Sequence, residues 1–221
     1  MNVSDRAPQV VVRGEAILLV DPEIAELGLT VTGRARDRQS ALELCRARQD
    51  EVSAAVTAAG DAVEAVETTG VSVHRDLRDG RWDGDPVASL NTRVTVGRLD
   101  TVGDLVVALG RLDDVAVSGP SWRLRPDSAA VSHARLAAVR DAVRRARQYA
   151  AAVGAELTAL LEVRDTGLAG GDLRVAEAMG AMAPFGGGEL AFELTPSRQE
   201  VHGSVEVRFT MSTPDQEVFR G

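Results

Sequence analysis

A chain of 221 residues, 44% of them hydrophobic, can bury a substantial core, while 25 basic residues, every one an arginine, against 33 acids leave a net charge of −8 and argue against nucleic acid as the main partner. The single cysteine, Cys45, rules out an internal disulfide and any thiolate cluster for zinc or iron–sulfur. The polar start MNVSDRAPQ and the lack of any apolar run near the ~18 residues of a membrane span lead us to expect a cytoplasmic protein with no membrane span.

Gln9 to Val20 reads as a strand, broken by the turn-forming pair Asp21-Pro22. Beyond it Ala25, Leu27, Leu29 and Val31 alternate with Glu26, Gly28, Thr30 and Thr32, the period of a strand, and the short connection predicts an antiparallel hairpin. Asp37 is placed to cap a helix with an inner stripe of Ala41, Leu44, Cys45, Val52, Ala55, Val56 and Ala59, ending near Gly60. Arg48 interrupts that stripe, either as an anion ligand or as a long side chain reaching out from its edge.

Val63 to Asp76 is extended, with a bulge or bend expected at Gly70, and Leu77 to Pro86 is a polar turn region. The return strand carries Ala88, Leu90, Val94 and Val96 on one face. A short helix from Leu99 to Leu112 and a strand from Val115 to Leu124 follow.

The next helix is long and Ala-rich, with a cap at Pro126-Asp127-Ser128 and a stop at Gly154. Leu136, Val139, Val143, Ala146, Ala150 and Val153 form one apolar stripe; Ala142, Ala146 and Ala150 form a second line of methyl groups that allows close approach to a sheet. Its arginines Arg140, Arg144 and Arg147 make a basic ridge, read as a solvated face, and Asp141 can reach Arg145. After a strand from Glu156 to Arg164, residues 165–189 hold seven glycines and form the expected flexible loop, and Val201 to Met211 is a strongly alternating strand expected to close the sheet.

These elements spell an α+β domain, a mostly antiparallel sheet with amphipathic helices packed on it, expected as a single domain over residues 1–221. Three pieces carry a resemblance: VVVRGEAILLVDPEIAELGLTV, the TTGVSV segment, and SHARLAAVRDAVRRARQYAAAVGAEL before a strand. Together they resemble the SIMPL-domain family, a largely bacterial group, with Gly14 and Ala16, the turn at Asp21-Pro22-Glu23, Thr68-Thr69, and the Ala142, Ala146, Ala150, Gly154 series in the family's places. The resemblance covers nearly the whole chain except residues 165–189 and implies the fold; it brings no catalytic motif and no cofactor.

Candidate chemistry is sparse. His74, His133 and His202 lack metal-ligand spacing, Ser118-Gly119 and Ser121 lack a nucleophile elbow, and Asp79, Asp83 and Asp85 lack the twelve-residue calcium loop. No catalytic, cofactor-binding or metal residue is assigned. Met179, Met182 and Phe185 are apolar side chains without an obvious seat, which either fold back over the core or dock on another subunit. The expectation is a non-enzymatic, homo-oligomeric scaffold or interaction module, with a small-molecule binder using a pocket near the Gly-rich loop, or an enzyme with an unrecognised site, as alternatives.

Overall fold

The computed structural model describes residues 7–76, 84–166 and 192–219. Its elements in order are β1 (Gln9–Val20), β2 (Ile24–Arg34), α1 (Arg38–Ala58), β3 (Val63–Arg75), β4 (Pro86–Val96), α2 (Val102–Gly110), β5 (Val115–Arg123), α3 (Ala129–Ala152), β6 (Leu157–Asp165) and β7 (Gln199–Met211). The paired strands are antiparallel and the helices lie on the sheets, an α+β fold.

The strands sort into two sheets, β1-β7-β6 and β3-β4-β2-β5, and this corrects two expectations. β1 and β2 do not form a hairpin: β1 pairs along its length with β7, from Gln9 opposite Thr210 to Val20 opposite Gln199, while β2 lies between β4 and β5. The reason is burial, since Ala25, Leu27, Leu29 and Val31 are all at most 1% exposed. These residues form the face that α1 covers, and a central place between β4 and β5 keeps all of them beneath that cover. β7, expected to close a sheet, is the middle strand of three. Its alternation reflects a helix-covered face with buried Val201, Val205, Val207 and Phe209 and a polar opposite face.

By their contacts the elements form two compact units, one of β1, α3, β6 and β7 and one of β2 through β5 with α1 and α2. In the second unit α1 begins as expected, with the Asp37 carboxylate accepting the Ser40 N–H at 2.9 Å, and Gly60 just beyond its end takes φ +60°. Its buried stripe is Ala41, Cys45, Val52 and Val56, packed with Leu27, Leu29 and Val31 of β2 and with Val102, Leu105 and Leu109 of α2. Cys45 Sγ lies 3.7 Å from the Val31 carbonyl oxygen, and burial pushes its thiol pKa up, the mark of an inert core cysteine. Arg48 reaches from the edge of the stripe to Glu51 at 3.0 Å and towards Asp114 at 3.7 Å and Asp113 at 3.8 Å. The β3–β4 register slips between Thr68 and Gly70, where the bulge was expected.

In the first unit the Ser128 hydroxyl accepts the Ala130 N–H and Gly154 ends the helix region at φ +66°, so both signposts of α3 hold. The buried row is Ala134, Ala138, Ala142, Ala146 and Ala150, each at most 1% exposed. Leu136, assigned to the inner stripe, is instead 56% exposed. The cause is on the strands: a Cβ on Gly14 would overlap the Ala138 carbonyl and stand 2.7 Å from the Ala142 Cβ, and one on Gly203 would stand 2.9 Å from the Arg135 nitrogen. Helix backbone rests on strand backbone there, and only methyl-sized side chains fit beneath the axis.

Candidate functional site

The three histidines are exposed and scattered, His74 on β3 of the second unit, His133 on α3 and His202 on β7. Among the described residues no group of three or more His, Cys, Asp or Glu side chains could hold a metal ion. Ser118 donates its hydroxyl to the carbonyl of its register partner Gly28 at 3.1 Å, beside the slip in the β2–β5 register. Asp79 and Asp83 lie outside the described residues, as do Met179, Met182 and Phe185. Of the Gly-rich segment 165–189 only Asp165, the last residue of β6, and Thr166 are described.

What the first unit does present is a strand that no described helix covers. α3 lies over β1 and β7 and barely reaches β6, which is also an edge of its sheet. Directly opposed residues in a ladder share a face, so Leu157, Leu160 and Val163, opposite Met211, Phe209 and Val207, belong to the face that α3 covers on the neighbouring strand. Without that cover Leu160 is 57% and Val163 48% exposed, and Leu161, at a slip in the register, is 48% exposed.

Between α3 and β6 runs a groove of about 490 Å³. Leu157, Leu160 and Phe209 contribute from the sheet and Val143, Ala150 and Ala151 from the helix, with Arg147 and Glu156 as its charged lining residues. This site is not legible in the sequence because β6 carries no period of its own, while its signal, four large apolar residues in LTALLEV beside an Ala-lined helix, emerges only once the sheet order is known.

The opposite face of that sheet is charged. Glu162 pairs with Arg164 at 2.6 Å and lies 3.9 Å from Arg208, and Arg13 pairs with Glu15 at 3.0 Å. These exposed pairs add little stability and keep the face wet. On α3, Asp141 accepts the backbone N–H of Glu15 at 3.1 Å and ion-pairs with Arg145 at 2.7 Å and with Arg144. The Glu15 N–H above all, then the two guanidinium groups, hold the Asp141 carboxyl below its ordinary value.

The family described as "SIMPL: Protein of unknown function (DUF541)" matches residues 10–209. The chain belongs to the SIMPL family. The matched SIMPL domain runs from the start of β1 nearly to the end of β7 and includes the groove. No curated protein matches this SIMPL chain. No helix among its described residues is long and apolar enough to cross a membrane.

Proposed function

We propose that this SIMPL protein is a non-enzymatic interaction module that self-associates, with the β6 side of its first unit as the contact. The observation that carries the reading is the exposure of Leu160, Leu161 and Val163 together on one edge strand, which no described helix covers, beside an apolar groove. Burying such side chains yields about 25 cal/mol for each Å² removed from water, and an edge strand also offers unpaired backbone groups to a newcomer. Light scattering at micromolar protein is expected to give a mass at least twice the 23.3 kDa of the chain. Leu160→Ser with Val163→Ser should return it to 23.3 kDa at nearly the parent melting temperature, because both side chains are already half exposed. A monomer at every concentration contradicts the proposal.

The groove supports a second reading, that of a small-molecule binder. Its volume of about 490 Å³ falls among those of ligand sites, and Arg147 beside apolar walls suits an amphipathic molecule with an acidic end. A melting shift with a medium-chain fatty acid, lost in Arg147→Ala, separates this reading from self-association.

A further inference from the structure

β1 is the other edge of the first sheet, and it differs from β6. It keeps an unbroken register with β7 over its length, whereas β6 slips twice, and a regular edge is the better template for a further strand. Backbone groups of an antiparallel strand point alternately to its two sides. The Glu15 N–H goes to the Asp141 carboxylate rather than to a strand, so a helix side chain reaches round and occupies the open side of β1. Arg144 and Arg145 hold that carboxylate in place.

The sequence around this contact is self-complementary. In Val10-Val11-Val12-Arg13-Gly14-Glu15-Ala16-Ile17-Leu18, an antiparallel pairing centred on Gly14 sets Arg13 against Glu15 of the second copy, and Glu15 against Arg13 of the second copy. On the same face Val11, 50% exposed, meets Ile17, 61% exposed, and on the other Val12 meets Ala16 and Val10 meets Leu18. The two exposed salt-bridge partners, now joined within one strand, exchange across the dyad.

We propose that β1 is a latched self-pairing edge: Asp141 withholds the Glu15 N–H, and once that carboxylate is gone a second copy adds its own β1 antiparallel about Gly14, joining two three-stranded sheets. Hydrogen bonds exchanged between Arg13 and Glu15 of the two copies replace the one Asp141 accepted. The pairing is independent of the β6 contact.

The test keeps the two associations apart by placing every variant on the Leu160→Ser, Val163→Ser background and reading mass by light scattering. With Asp141 intact the mass should be 23.3 kDa, and with Asp141→Ala it should double. On the Asp141→Ala background, Arg13→Glu alone and Glu15→Arg alone each set like charges opposite one another and should stay at 23.3 kDa, while their equal mixture should double again. The double reversal Arg13→Glu, Glu15→Arg restores complementarity and should associate unaided. At dilutions where the chain is monomeric, the Glu15 amide should exchange roughly tenfold faster in Asp141→Ala than with Asp141 present. If Asp141→Ala unfolds, Asp141→Leu supplies the same comparison, with a side chain of similar size and no acceptor for the Glu15 N–H. An unchanged mass in folded Asp141 variants, association of the single charge reversals alone, or a mixture that stays monomeric overturns the proposal.

Discussion

A Gly14→Val protein should melt far below the parent. The added Cβ would enter space held by the Ala138 carbonyl oxygen and lie 2.6 Å from the Ala142 nitrogen, both backbone atoms of a helix that cannot yield locally. Overpacking of this kind costs about 3 kcal/mol or more, since the whole of α3 must lift from β1 and β7. For a chain of this size that is a fall of about 6–12 °C, readable by circular dichroism. Gly110→Ala is the control, because a Cβ there meets nothing within 4 Å, and it should melt within about 2 °C of the parent. Equal melting of the two variants would mean that α3 does not rest on Gly14.

Ala146→Leu is the second large effect expected. Ala146 is fully buried in the cluster with Val12, Val205, Val207 and Phe209, and three more carbons must displace one of these or the helix, at about 1–3 kcal/mol. Leu136→Ala should stay within about 0.5 kcal/mol, its side chain being mostly in solvent. Were Leu136 the residue facing the sheet, its truncation would instead cost about 2–5 kcal/mol, so chemical denaturation of the pair tells the two helix faces apart.

Local structure was legible in the sequence wherever one residue type performs a local task. Asp37 and Ser128 offer short-range acceptors for helix N–H groups, Gly154 takes a backbone conformation that side chains disfavour, and Gly70 marks a slip in the ladder. Pairing was less legible, because the contact between Gln9 and Thr210 is decided by burial across the whole chain and not by Asp21-Pro22 beside it. The wrong weight on Leu136 has the same origin. Ranking helix positions by size selects Leu136, but the opposing Gly14 and Gly203 select alanine. The groove lay further out of reach, since it comes from a helix covering two strands of three.

If the exposed β6 strand is a contact between copies of this chain, association should shield its backbone. Amide hydrogen exchange followed by mass spectrometry, at two protein concentrations spanning the association, tests it at the strand itself. Peptides from Leu157 to Asp165 should become slower to exchange as concentration rises, while those from β5, an edge strand of the second unit, should not change. Exchange in β6 that is indifferent to concentration, in a sample whose mass shows association, would place the contact elsewhere and rule out β6 as the interface.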